Sequence, residues 1–194
     1  MASAESLRAS AGAGMERILR SAVRQLALGS PADVSLHDIA AEAGVSKALI
    51  HYHFHDRDTL LVAVADRLAD ELVTREADAL HDERSSLAVD ALWQWLRCEL
   101  ERGDIRVLLS LGALPGATVR VATQRAAARR REAAARTIAR LFDALDLEAR
   151  MPVSLIADVV VAFIDGLALE ATNHGRDARV TFDVFWLALL SLGE

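Results

Sequence analysis

Residues 35–61 read SLHDIAAEAGVSKALIHYHFHDRDTLL and contain the start and stop signals of two short, consecutive helices. Ser35 and Asp38 form a Ser-x-x-Asp signature, which satisfies free backbone amides at a helix start. Gly44 stands where a left-handed residue can end that helix, and Ser46 is placed to cap the next one. Two short helices separated by a three-residue turn form the helix-turn-helix pattern.

Helical periodicity continues on both sides of this stretch. Upstream, apolar residues recur at helical spacing from Ile18 to Leu26, and Gly29 with Pro31 supplies a stop. Downstream, Asp56 can cap a longer helix with its own apolar stripe. Because no run alternates strictly between apolar and polar residues, the sequence predicts an all-α protein of about nine helices. The last five are predicted at about 85–102, 104–112, 116–145, 152–173 and 179–192.

Composition divides the chain into three parts. Residues 1–14 are rich in Ala, Ser and Gly, which predicts a mobile N-terminal arm. Residues 15–58 are predicted to form a three-helix head that contains the helix-turn-helix. Residues 59–194 are predicted to form a larger helical body.

The charge of the chain is unevenly distributed. The net charge is −6 overall but only −1 over residues 1–58, so the head is less acidic than the body, though not basic. This matters because phosphate binding draws on lysine and arginine. In the first helix, Arg17, Arg20 and Arg24 line one face, which is equally compatible with a solvated surface and with a phosphate-facing edge.

Several function classes find no support in the sequence. The single cysteine, Cys98, excludes an internal disulfide and is typical of a reducing cytoplasm, where we expect the protein. The longest apolar stretch, 153–169, is interrupted by Asp158 and Asp165 and is too short for a membrane span. Without a Gly-rich phosphate loop or a nucleophile elbow, we expect neither an enzyme nor a cofactor.

The helix-turn-helix stretch also resembles the signature of the TetR family of transcriptional regulators. The resemblance rests on Ile39-Ala40, on Ala43-Gly44-Val45-Ser46, on the aromatic and histidine block ending at Phe54, and on a basic and an acidic residue before a Leu-Leu pair. At motif level it covers residues 15 to about 65. It implies a homodimer that binds double-stranded operator DNA and, as is commoner in this family, acts as a repressor.

The second short helix is expected to enter the major groove with its N-terminal residues toward the base edges. Lys47 can donate to guanine or phosphate, and Tyr52 offers a ring and a hydroxyl. The resemblance implies phosphate contacts at positions 51 and 57, usually Tyr and Lys; here His51 is a shorter donor and Arg57 keeps the charge. The predicted DNA-binding residues are Ser35, Ser46, Lys47, Ala48, His51, Tyr52 and Arg57.

The alternating histidines His51, His53 and His55 could also indicate a metal site. On a helix, however, the middle residue of such a series points away from the other two, and no cysteine lies near. We therefore predict no metal.

The last two long helices of the body are strongly apolar. The resemblance implies that they pair with the same helices of a second copy in a four-helix bundle. The residues agree, because helices this apolar must bury more than one face. The predicted dimer interface comprises Phe163, Leu167, Phe182, Phe185, Trp186 and Leu189.

The middle helices of the body are predicted to enclose a ligand pocket. Trp93 and Trp95 lie on neighbouring faces of one helix and cannot be equally buried in a simple core. Either one packs inside while the other covers a surface, or one lines an apolar cavity. In the cavity, Glu99 could orient a basic ligand. The predicted pocket residues are Trp93, Leu96, Trp95 and Glu99.

These features predict a repressor that leaves a palindromic operator when a small apolar or amphipathic inducer binds. The near-palindrome follows from a two-fold dimer that places two heads on successive turns of the groove. We expect the inducer to shift the connecting helix, near residues 57–75, and so change the separation of the heads. The alternatives are a helical protein-interaction module and, with less support, an enzyme built on the apolar pocket.

Overall fold

The protein is all-α over the residues that the computed structural model describes, which are 2–80, 88–170 and 178–191. These ranges contain nine α-helices and no β-strand, so the predicted fold class is confirmed. None of the described helices has the length and apolarity that crossing a membrane would require. The helices are α1 Ala2–Leu28, α2 Leu36–Ala43, α3 Lys47–Phe54, α4 Arg57–Ala79, α5 Ala88–Arg102, α6 Asp104–Gly112, α7 Ala117–Ala144, α8 Val153–Glu170 and α9 Ala178–Leu190.

In the body, the helix ends follow the sequence periodicity. Every predicted end between α5 and α9 that falls on described residues lies within one residue of the observed end. The ends predicted at 85, 173 and 192 lie outside the described residues.

The N-terminal segment differs from the prediction of a mobile arm. Helix α1 begins at Ala2, so residues 2–14 extend the helix that we expected to start at Met15. Its alanines are good helix formers. Gly14 is buried, and a Cβ there would lie 3.2 Å from Leu49 Cδ2 on α3. The contact between α1 and α3 therefore extends one helical turn closer to the N-terminus than the apolar pattern, which begins at Ile18, indicated.

The chain forms two compact units. The head unit consists of the chain up to Arg67 together with Val107–Gln124, and the body unit consists of Leu68–Arg106 and the chain from Arg125 onward. This division differs from the predicted boundary after residue 58, because the next two turns of α4 and a later segment cluster with the helix-turn-helix.

The head unit buries apolar side chains from each of its first helices and ties α4 to α1 by an ion pair. Its buried side chains come from one side of each helix and include Ile18, Ala22, Leu26, Ile39, Ala40, Ile50, Phe54, Leu60, Leu61 and Val64. Arg67 on α4 donates to both carboxylate oxygens of Glu16 on α1, at 2.6 and 2.8 Å. These hydrogen bonds hold the pKa of Glu16 at about 2 and tie α4 to α1.

The body unit buries an ion cluster beside its apolar core. Arg75 on α4 donates to both oxygens of Glu99 on α5 at 2.6 and 2.7 Å, and to Asp104 on α6 at 2.7 Å. Glu99 is only 1% exposed. Burial raises the pKa of Asp104 against the opposing pull of Arg75. A single guanidinium thus joins three helices of this unit.

Candidate nucleic-acid interface and ligand cavity

Side-chain caps fix the helix-turn-helix. Ser35 Oγ accepts a hydrogen bond from the Asp38 amide at 3.2 Å and donates to the Asp38 carboxylate at 2.5 Å. Gly44 adopts φ +62°, and its amide closes onto carbonyls of the last turn of α2. Ser46 Oγ accepts from the Leu49 amide at 3.2 Å and starts α3. The turn therefore has the caps that the sequence predicts.

A third cap sets the direction of α4. The Thr59 amide donates to Asp56 Oδ1 at 2.8 Å, and this hydrogen bond lowers the pKa of Asp56. Just before it, His55 ends α3 with φ +58° and donates its amide to the His51 carbonyl at 3.0 Å. The chain thus passes from α3 to α4 through a short, hydrogen-bonded corner.

Helix α3 has one buried and one exposed face. Ile50 and Phe54 are buried in the head core. The exposed side chains fall at i, i+1, i+4 and i+5, which places them on one face. They are Lys47, Ala48, His51 and Tyr52. Tyr52 is 73% exposed, and Lys47 forms no ion pair with a described residue. This face has the size and chemistry to enter a major groove.

Arg57 occupies a more structural position than the sequence suggested. Its Nε donates to the Val34 carbonyl at 3.1 Å, and its Nη2 donates to the Pro31 carbonyl. The side chain is half-buried. Arg57 therefore ties the loop between α1 and α2 to the start of α4, and only its remaining donors are available to a phosphate.

His51 is exposed but one of its ring nitrogens is occupied. Nδ1 lies 2.7 Å from the His55 carbonyl oxygen. Because a carbonyl can only accept, Nδ1 carries the proton, and Nε2 of the neutral ring is then an acceptor. A hydrogen bond from His51 to a phosphate consequently requires the doubly protonated ring.

The other polar residues considered for DNA binding divide into those already engaged within the head and those that are not. The hydroxyls of Ser35 and Ser46 are engaged in the caps described above. Of the arginine stripe on α1, Arg20 pairs with Glu16 at 3.1 Å and Arg24 pairs with Glu42 at 2.7 Å. The exposed Arg17 forms no ion pair within the described ranges. The i, i+4 spacing of Glu16 and Arg20 indicates the first pair, whereas the second depends on α2 bringing Glu42 opposite Arg24, which spacing does not show.

The body unit contains a cavity with walls from α4 to α9 that are mostly apolar and aromatic. Its volume is about 30 Å³, room for about two water molecules. On one wall, the rings of Phe163 and Phe185 stack with centroids 3.9 Å apart. A ligand larger than a few atoms therefore has to displace wall side chains.

Four polar side chains contribute to these walls. Thr137 Oγ1 donates to Glu76 Oε1 at 2.6 Å, and burial raises the pKa of Glu76. Arg130 donates to Asp165 at 2.6 Å. The Nε1 of Trp95 is buried without a hydrogen-bond partner in the part of the chain that the structure describes. Convergent polar groups in an apolar cavity are typical of small-molecule sites.

The predicted pocket residues separate into two pairs. Trp95 and Leu96 line the cavity. Trp93 instead packs in the core against Phe182, at 5.2 Å between ring centroids, and Glu99 accepts from Arg75 with both oxygens. The sequence reasoning missed Glu76, although an acidic residue four positions after Leu72 in the apolar stripe of α4 was a usable signal.

Comparison with known families and structures agrees with the helix-turn-helix geometry. The sequence model of the family described as "Bacterial regulatory proteins, tetR family" matches residues 18–64. The head of this chain, residues 18–64, therefore carries the DNA-binding region characteristic of TetR-family regulators. This match supports the expected DNA-binding transcriptional regulator over the alternative of an enzyme.

Solved structures share the TetR-like fold along nearly the whole chain. A TetR-family regulator from Agrobacterium tumefaciens is 18% identical, covers 95% of this chain and 100% of its own, and gives a TM-score of 0.74. A TetR-family regulator from Streptomyces coelicolor is 20% identical, with 92% and 80% covered and a TM-score of 0.68. A structure from Saccharomonospora viridis in complex with choline is 22% identical, with 93% and 97% covered and a TM-score of 0.63. Among curated protein sequences, the comparison gives no match.

Most of the residues predicted for the dimer interface lie in the core of the body unit. Four of the six predicted residues are buried inside the protomer, because the most apolar stripe of each helix faces its own core. They are Leu167, Phe182, Trp186 and Leu189. Phe163 and Phe185 are half-buried and line the cavity.

Different apolar side chains of α8 and α9 are exposed. On α8 they recur with alternating spacings of four and three, at Leu155, Val159, Ala162, Gly166 and Leu169. On α9 the same spacing gives Val180, Val184 and Leu187. Leu155 is 54% exposed and Leu187 is 71% exposed. We call these two heptad-spaced rows the apolar stripes; this spacing is that of helices packing in left-handed bundles.

Proposed function

We propose that this protein is a ligand-responsive repressor of the TetR family. Two copies hold a near-palindromic operator, and a small molecule in the body cavity releases it. The observation that carries the proposal is the exposed face of α3, held in place by the caps of Ser35, Gly44 and Ser46.

On this proposal, α3 reads the operator and α1 contacts its backbone. Lys47 donates to a base edge or a phosphate, and Ala48 and Tyr52 contact the groove surface. Arg17 is the cation of the α1 stripe best placed for a phosphate, since Arg20 and Arg24 are neutralised by ion pairs. Arg57 positions the loop and can add its free donors to the same phosphate backbone.

The second copy is proposed to cover the apolar stripes of α8 and α9. Rows of exposed Leu and Val at heptad spacing are costly to leave in water, and a four-helix bundle buries them against identical rows. Ala162 and Gly166 on α8 have small side chains that allow close approach of two helix backbones. A two-fold pair made in this way carries two α3 faces, as a palindrome requires.

The ligand response is proposed to act through α4. This helix contributes Leu72, Val73 and Glu76 to the cavity wall, and the same continuous helix begins in the head unit at Arg57. A ligand that displaces the cavity side of α4 is expected to disturb the operator-bound arrangement, provided that its affinity differs between the two states. The choline complex of the Saccharomonospora viridis structure supports small-molecule binding by this fold.

The DNA part of the proposal is tested by titrating DNA from the region upstream of the protein's own gene at several salt concentrations. Lys47→Ala should weaken binding and reduce the slope of log affinity against log salt by about 0.9, the value for one phosphate contact. Arg140→Ala, which removes an exposed cation from α7 of the body, is the matched control and should change neither. Salt-independent binding, or equal effects of the two variants, would refute this DNA interface and favour a protein-interaction module.

The response is tested on the protein–operator complex with a panel of small molecules. Compounds that bind the cavity should raise the operator dissociation constant, and a substitution that adds two methyl groups to its wall, Ala134→Val, should weaken that response while leaving operator affinity intact. A tight cavity ligand that leaves operator binding unchanged would refute the switch.

A further inference from the structure

We propose that the body cavity takes an organic cation with an apolar body, and that the carboxylate of Glu76 is its counterion. The inference rests on the proposed ligand response and specifies the chemical class of the ligand. It is carried by the position and pairing of the charged groups around the cavity.

Glu76 differs from the other buried carboxylates of the body unit. Glu99 and Asp104 both accept hydrogen bonds from Arg75. Glu76 is 8% exposed, lines the cavity and forms no ion pair with any described residue. Its one hydrogen bond within the described ranges comes from Thr137 to Oε1, so Oε2 accepts none. A buried carboxylate without a cationic partner is costly unless a cation is supplied.

The one cation in the wall does not supply it. Arg130 lines the same cavity, but its guanidinium forms an ion pair with Asp165 at 2.6 Å. Burial raises the pKa of Glu76 against the opposing charges of Arg130, Arg136 and Arg140, and the last two are exposed on α7 and outside the cavity wall. Because Arg130 is held by Asp165, Glu76 is the carboxylate of the wall without an ion pair among the described residues, and a cation bound beside it would favour its ionised form. The cavity therefore favours a positive ligand over a negative one.

The rest of the wall suits the apolar part of such a ligand. Aromatic rings line several sides, at Trp95, Phe163, Phe182, Phe185 and Trp186. Ring faces attract alkylammonium groups, most strongly where water is excluded. Trp95, Phe163 and Phe185 are the half-buried rings of the wall, so outward movement of these rings, which enlarges the space, disrupts the least core packing. An alkyl- or arylammonium ion of moderate size supplies both a positive charge for Glu76 and an apolar part for the aromatic wall.

The proposal is tested with three probes of one shape and different charge, using tryptophan fluorescence of the full chain. Benzyltrimethylammonium is the cation, neopentylbenzene is its neutral isostere, and phenylmethanesulfonate is the anion. We expect the cation to bind at least about tenfold more tightly than the neutral isostere. Glu76→Gln should remove that difference without weakening the neutral isostere, whose binding shows that the cavity is intact. Glu132→Gln, which removes an exposed carboxylate from α7, is the matched control and should preserve the preference for the cation over the neutral isostere.

Three results would overturn the assignment. These are equal binding of the cation and the neutral isostere, tighter binding of the anion, and equal effects of Glu76→Gln and Glu132→Gln. Because fluorescence reads binding without DNA, these results are separate from operator release. If another class of compound binds and releases the operator, the cation assignment fails and the proposed repressor remains. If the cation binds without releasing operator DNA, the cation assignment remains and the proposed ligand response fails.

Discussion

Gly44 offers a sharp test of how the helix-turn-helix is held. The residue has φ +62° and ψ +40°, and a Cβ added there would meet no atom within 4 Å. The cost of Gly44→Ala is therefore the backbone strain alone, since no steric contact adds to it. A left-handed non-glycine residue costs roughly 1–2 kcal/mol, so we expect that loss in the free energy of unfolding. Gly44→Asn should cost less, because asparagine tolerates this conformation better.

The measurement is urea denaturation of the variants followed by helical circular dichroism. Gly12→Ala is the matched control, because a Cβ there also meets no atom within 4 Å but the residue lies inside α1 without a positive φ. The Gly12→Ala variant should gain about 0.5–1 kcal/mol in the free energy of unfolding. If Gly44→Ala were as stable as the parent, or lost more than about 3 kcal/mol, the reasoning from backbone conformation would be wrong.

Three further outcomes follow from ion pairs and exposed surfaces. Because the pKa of Glu16 is lowered from 4.5 to about 2, its pairing with Arg67 stabilises the fold above pH 4.5 and is lost as pH falls toward 2. After allowance for its 43% exposure, the loss should be about 1 kcal/mol and absent in Glu16→Gln, as acid titrations of unfolding would reveal. Glu99→Gln leaves Arg75 with one buried carboxylate partner and should cost about 3 kcal/mol in thermal or urea unfolding; a neutral effect would contradict the ion cluster. Val184→Glu with Leu187→Glu should give monomers in light scattering with weaker operator binding, whereas Ala139→Glu on the exposed face of α7 should leave a dimer; a persistent dimer in the double variant would refute the role of the stripes.

The local features of the head could be predicted because their physical causes lie within a few residues. Ser35, Gly44 and Ser46 each act on backbone groups at most four positions away, so their spacing alone indicates caps and a turn. The apolar periodicity likewise located the helices of the body to within a residue at described ends.

Contacts between distant segments could not be predicted in this way. The partner of Arg57 is the loop at Pro31 and Val34, and nothing near position 57 identifies carbonyls more than twenty residues earlier. The predicted dimer residues illustrate a related limit: α8 and α9 each have an inward and an outward apolar row, and composition favours the more aromatic one, which packs inward. The sequence predicts a ligand-binding role for Glu99. Its actual partner, Arg75, lies on another helix, and nothing near position 99 indicates that pairing.

The two hydrogen bonds of Arg57 have a consequence for the thermodynamics of DNA association. A long cationic side chain that is free in solution loses up to about 2 kcal/mol of rotamer entropy when a ligand immobilises it. Lys47 carries that penalty in full. Arg57 has already lost much of its freedom on folding, because its guanidinium is anchored to two carbonyls. A phosphate reaching Arg57 would meet a charge fixed in advance, so that contact would be entropically cheaper than the one made by Lys47.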